Sequence, residues 1–136
     1  MILVDTSVWV EVLRDRSGRG RTALEKALDG EEAVLTRFHQ LELLQGARDE
    51  KEWDLLREQL DAQVYLECGS ESWTGAARIY FDLRRVGKTV RSPIDCCIAQ
   101  IAMDHDVLLL HRDRDFEVIS EVRPLRQRRL SWQSRG

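Results

Sequence analysis

The chain has 136 residues, 43% of them apolar and 33% charged, and its 21 basic and 24 acidic side chains leave a net charge of −3. That is one domain with a sizeable core, and its apolar runs fall far short of the about 20 residues a membrane span needs, so no membrane partner is expected. Three cysteines without C-x-x-C or zinc spacing, and an apolar start that lacks a basic leader and is broken by Asp5 and Glu11, argue against a secreted disulfide scaffold and for the cytoplasm.

Residues 1–4 form an uninterrupted apolar run, the signature of a buried parallel strand. Thr6 or Ser7 caps a helix with Val8, Val12 and Leu13 at helical spacing, ending near Arg14. Residues 15–20 read as a glycine-rich basic loop. Helical spacing returns at Ala23, Leu24, Ala27 and Leu28, and Ala33-Val34-Leu35 is a second strand. Thr36 caps a helix carrying Phe38, Leu41, Glu42 and Leu44, and Asp49 or Glu50 opens another with Trp53, Leu56 and Leu60. Residues 63–66 predict a third strand, and Ser70 caps a long amphipathic helix closed by Gly87. Ser92-Pro93-Ile94-Asp95 is a strong helix start, with a cap serine, a first-turn proline and an acid three residues on. Residues 107–110 form a fourth strand and residues 111–116 the loop leaving it. A short helix and a last strand at 122–125 complete the expected domain, 1–125, and residues 126–136 read as a loose basic tail. Strands alternating with helices predict an α/β fold, a central parallel sheet with helices on both faces.

Four acids stand where such a sheet brings its loops together: Asp5 after the first strand, Glu42 in the helix after the second, Asp95 in a helix's first turn and Asp113 in the loop after the fourth strand. Each has an ordinary reading by itself, as a helix cap for Asp5, Asp95 and Asp113 or as a solvated face for Glu42. Together they form a set that repels itself unless a cation is present. Oxygen-only ligands suit Mg²⁺ or Mn²⁺, which lowers the pKa of a bound water and neutralises charge on a phosphoryl group. Thr6 or Ser7 is placed to orient such a water. The set points to a metal-dependent nuclease.

Val4-Asp5-Thr6-Ser7-Val8-Trp9, Leu41-Glu42-Leu43-Leu44-Gln45-Gly46, Asp95-Cys96-Cys97-Ile98-Ala99 and residues 110–116 carry a resemblance in order and spacing. The chain resembles PIN-domain proteins, specifically the VapC-type toxins of prokaryotic toxin–antitoxin pairs. The resemblance implies a five-stranded parallel sheet and a Mg²⁺- or Mn²⁺-dependent endoribonuclease that cleaves structured RNA such as tRNA. It assigns Asp5, Glu42, Asp95 and Asp113 as catalytic and metal-holding acids, with Asp115 auxiliary. It further implies a homodimer and a cognate antitoxin whose C-terminal segment wraps the toxin. His111 stands where many relatives carry Thr or Ser.

Arg14 and Arg16 follow the first helix, Arg84, Arg85, Lys88 and Arg91 precede Asp95, and Arg112 adjoins Asp113. Clustered cations near the acids are candidates for RNA phosphate contacts, against a plain solvated surface. His111 invites a proton-donor role beside the ordinary one of bonding a loop backbone. Trp132 has no assignment, and His39 attracts no stronger claim than a helix residue. A phosphoryl-accepting receiver domain is disfavoured because no lysine follows Lys88, and aspartate-nucleophile phosphatases because position 7 is Ser. A non-catalytic RNA-binding or interaction domain on the same fold is the alternative.

Overall fold

The computed structural model describes residues 1–133, so Arg135 of the basic tail lies outside the described residues. The strands are β1 (Ile2–Val4), β2 (Ala33–Val34), β3 (Leu108–His111) and β4 (Gln127–Arg129). They form one parallel sheet in the order β2-β1-β3-β4. The helices are α1 (Thr6–Arg14), α2 (Arg19–Leu28), α3 (Arg37–Gln45), α4 (Glu50–Asp61), α5 (Ser70–Arg85), α6 (Pro93–Asp104) and α7 (Arg114–Ile119). None of the described helices is long and apolar enough to cross a membrane.

Alternate residues of each strand feed opposite faces. Leu3, Val34 and Leu109 pack with Ile79 and Leu83 of α5, Ile98 and Ile101 of α6, and Phe116 of α7. On the other face Ile2, Val4 and Leu110 pack with Val8 and Val12 of α1 and Leu24 of α2. With both faces covered, strands β1 and β3 have no polar side to show, which is why each reads as a continuous apolar run. The α/β architecture expected from the sequence is the one observed.

Several details depart from expectation. The third strand is a single parallel bridge, Leu35 to Tyr65, made by Leu35 N–H donating to the Val64 carbonyl and Leu66 N–H to that of Leu35. β2 turns at once into the Thr36 cap, so residues 63–66 have little to ladder against, and the implied five-stranded sheet becomes four strands plus this bridge. The last strand lies at Gln127–Arg129, not at 122–125. Val122 and Arg123 instead donate to the Ile119 carbonyl and close α7, and Pro124 brings no donor of its own. The segment read as a loose tail therefore supplies an edge strand, followed by Leu130 buried and Trp132 packed against the second core cluster. The loop at 15–20 is shorter than read, because α2 begins at Arg19 after Gly18, whose φ of 79° suits glycine. Asp5, not Thr6 or Ser7, is the N-cap of α1, and Gly69, not Ser70, precedes α5.

Candidate active site

Asp5 sits where β1 ends and α1 begins, 6% exposed. Its Oδ2 accepts the Ser7 backbone N–H at 3.0 Å and the Ser7 hydroxyl at 2.6 Å. Its Oδ1 accepts from His39 Nε2 at 2.8 Å. Burial alone pushes the carboxyl up, but the bonds from His39 and Ser7 outweigh it and hold the group below its ordinary value. The Ser7 hydroxyl also accepts the Arg112 backbone N–H at 2.9 Å, tying the exit of β3 to that of β1.

Glu42, on the inner half of α3, accepts from the Thr6 hydroxyl at 3.3 Å. Burial first, then repulsion from Asp5, raises its carboxyl. Asp95, held in the first turn of α6 by the Ser92 cap, is pushed up to about 8, by burial and then by the charges of Asp113, Asp5 and Asp115. Asp113 caps α7, its Oδ1 accepting the Asp115 N–H at 3.0 Å. Asp5, Glu42, Asp95 and Asp113 line one cavity of about 410 Å³, together with Thr6 and Arg112.

Single carboxylate oxygens of Asp95, Asp113 and Asp115 lie within 4.8 Å of one another. The tightest group of acids among the described residues thus includes Asp115, the acid expected to be auxiliary. All donors here are oxygens, and two of the lining acids, Glu42 and Asp95, are raised by burial and then by repulsion from neighbouring acids. This is the chemistry of a site that fits a hard divalent cation such as Mg²⁺ or Mn²⁺.

Arg112 lines the acidic cavity, donates to the Leu130 carbonyl at 2.9 Å and stacks 4.2 Å from the Trp132 ring centre. Arg14 and Arg16 border an adjoining cleft of about 540 Å³ that Arg112 and Trp132 also line. Arg91 is spent on the acids themselves, donating to Asp113 at 3.0 Å and Asp115 at 3.4 Å. Lys88 pairs with Glu121, and Arg84 and Arg85 stack on Tyr80 and Phe81 of their own helix. Of the sequence-derived cations, the cavity and its adjoining cleft gather Arg14, Arg16 and Arg112.

His111 is the last residue of β3 and fully buried, not a loop residue. Its Nδ1 accepts the Asp113 N–H at 3.1 Å, so the ring proton lies on Nε2, which donates to Gln127 at 2.6 Å. Burial lowers its pKa. Both nitrogens are occupied away from the cavity, which removes the proton-donor reading. The residue missed from sequence is His39, fully buried in the third helical position after the Thr36 cap. The available signal was its spacing, three residues before Glu42 and so on nearly the same helix face.

An apolar groove of about 760 Å³ adjoins the acidic cavity, sharing Val10 and Glu42 with it. Leu13, Leu43 and Leu56 from α1, α3 and α4 line it, with Arg14, Arg16 and Arg48 alongside.

The sequence profile of the family described as PIN domain matches residues 2–122. Ribonuclease VapC11 of Mycobacterium tuberculosis is 35% identical over 125 residues, covering 90% of this chain and 93% of that protein. Among solved structures, VapBC-1 from nontypeable Haemophilus influenzae superposes with a TM-score of 0.75 at 17% identity, over 95% of this chain and 98% of that one. VapBC2 from Rickettsia felis, bound to a DNA fragment from its promoter, gives 0.73 at 15% identity, over 96% and 100%. Those two likenesses speak for the fold alone.

Proposed function

The chain belongs to the PIN-domain family, and from that premise we propose that it is a Mg²⁺- or Mn²⁺-dependent endoribonuclease toxin, silenced by a cognate antitoxin. One observation carries the reading: four acids from four separate elements line one cavity, and one of them, Asp95, is pushed up to about 8 by burial and then by the charges of Asp113, Asp5 and Asp115. A binding module has no need to hold carboxylates such as Asp95 and Glu42 where their charged forms are disfavoured, since each of these two costs stability when ionised until a cation arrives.

A divalent ion held by Asp5, Asp95, Asp113 and Glu42 would supply an activated water and offset charge on the scissile phosphate. Asp115 sits against Asp95 and Asp113 and helps raise the Asp95 carboxyl. Thr6 holds Glu42 by its hydroxyl, and Ser7 holds Asp5, so the acids keep their orientation without substrate. Arg112, stacked on Trp132 and bonded to Leu130, offers a pre-set guanidinium for a phosphate, and Arg14 and Arg16 extend that path. Structured RNA, including tRNA, is the substrate class, met in the cytoplasm. The apolar groove beside the cavity suits an amphipathic antitoxin segment, its apolar side chains seated on Leu13 and Leu56 and its acids facing Arg14, Arg16 and Arg48. The homodimer that accompanies this reading has exposed apolar residues on α5 to draw on, Trp73 and Phe81.

Purified protein, freed of any partner, is incubated with total RNA in Mg²⁺, in Mn²⁺ or in EDTA, beside Asp5→Asn and Asp95→Asn. Cleavage that needs metal and is lost in both folded variants is the expected result. Cleavage surviving in both overturns the acidic-site assignment, and RNA binding without any cleavage by the unaltered protein makes it a binding module.

A further inference from the structure

His39 is buried, polar and outside the acidic quartet, and its hydrogen bonds fix its state. The Thr36 backbone N–H reaches Nδ1 at 3.0 Å. A backbone N–H can only donate, so Nδ1 accepts, the ring proton lies on Nε2, and Nε2 donates to Asp5 Oδ1 at 2.8 Å. The ring cannot turn over without stranding Thr36 N–H in a buried place.

Counting acceptors on Asp5 gives the consequence. A carboxylate offers about four lone-pair sites, two on each oxygen. Oδ2 receives two donors, the Ser7 N–H and the Ser7 hydroxyl, and is filled. Oδ1 receives one, from His39, and keeps one lone pair. Resting on the nuclease reading above, we infer that His39 is a positioning residue that makes Asp5 a one-oxygen ligand, holding the carboxylate so that only the second lone pair of Oδ1 is offered to a divalent cation. The bond runs between residues 34 apart in sequence, from the first turn of α3 to the end of β1, so it also sets where the helix bearing Glu42 sits against Asp5. A carboxylate ligand without such an outer bond is free to rotate, and loss of an outer partner of this kind weakens metal binding about 10- to 100-fold.

The test is Mn²⁺ affinity, read from the free-ion signal in electron paramagnetic resonance and involving no RNA. His39→Leu fills the space without donating, and is expected to bind Mn²⁺ about 10- to 100-fold more weakly. His39→Gln carries an amide N–H of similar reach and is expected to recover most of that loss, whereas His39→Asn falls short of Asp5 and is not. Should His39→Leu fail to fold, the Gln and Asn variants carry the comparison. Equal Mn²⁺ affinity in the unaltered protein and the folded variants overturns the inference and leaves His39 a core residue. If the unaltered protein takes up no Mn²⁺, the metal reading falls and this inference with it.

Discussion

In metal-free buffer at pH 8, Asp95→Asn is expected to melt about 5 °C above the unaltered protein, and Asp5→Asn below it by a similar margin. The two carboxylates have opposite relations to the fold. Asp95 is raised to about 8 when folded, from an ordinary 3.8, by burial and by Asp113, Asp5 and Asp115. The folded protein therefore holds a proton there that the unfolded chain releases. That contribution is intact below about pH 4 and is lost as pH rises toward 8, where the folded state must carry a crowded charge. Each pKa unit corresponds to about 1.4 kcal/mol, but the half-buried group is screened by solvent, so on the order of 2 kcal/mol survives. Asparagine never carries that charge.

Asp5 is held below its ordinary value, so its contribution is present above that value and is lost only as pH falls through the folded pKa. An asparagine there still accepts from His39, but its amide nitrogen meets the Ser7 N–H donor to donor. Leaving that group unpaired costs about 1–3 kcal/mol. Saturating Mn²⁺ reverses the ranking, because only the unaltered protein gains about 2.7 kcal/mol at a hundredfold excess over its dissociation constant. Differential scanning fluorimetry across pH 5 to 8, with and without Mn²⁺, reads all of this. A lower melting temperature for Asp95→Asn than for the unaltered protein in metal-free buffer at pH 8 would contradict it.

Introducing charge into the apolar groove is expected to separate toxicity from its control. Leu13 is 67% exposed and lines the groove opposite Leu43 and Leu56. Exposure of that size costs the free protein nothing it could recover by substitution, so Leu13→Glu should fold normally. Glutamate there meets no apolar partner and repels the acids that Arg14, Arg16 and Arg48 favour. Central apolar anchors are worth about 2 kcal/mol or more in such interfaces, and a repelling charge adds to the loss. Leu13→Glu with Leu56→Glu should bind the antitoxin at least about 100-fold more weakly in a titration. RNA cleavage in the absence of antitoxin should be unchanged. Antitoxin that silences the double variant as well as the unaltered protein would place its docking elsewhere.

What could be read in advance follows from where each residue's partners lie in the chain. β1 and β3 announced themselves because strands buried on both faces leave no polar alternation, and α6 because Ser92, Pro93 and Asp95 are neighbours. Asp5, Asp95 and Asp113 could be grouped since each stands at a recognisable element end or cap, and Glu42 joined them from within the helix that follows the second strand. β4 could not, because an edge strand made of Gln127, Arg128 and Arg129 carries none of the apolar signal of an inner one. That omission propagated. Without Gln127 beside β3, His111 had no visible partner and looked available for chemistry. His39 was illegible for a related reason, since its bond to Asp5 joins two elements whose approach only the folded sheet defines. Asp5 combines two roles that the sequence presents separately, capping α1 through Oδ2 while lining the cavity, because its two oxygens divide the work.

The edge strand has a practical bearing. Trimming the chain after Arg126 would not tidy away a dispensable end. It would strip β3 of its neighbour, leaving backbone groups of Leu109 and His111, among them the His111 carbonyl that accepts from Leu130 N–H, unpaired along an apolar ribbon. Such a ribbon is a template for pairing with another molecule, and the charges of Arg128 and Arg129 now guard against that. The last basic residues of the sheet thus act as a hem that keeps one molecule from being sewn to the next.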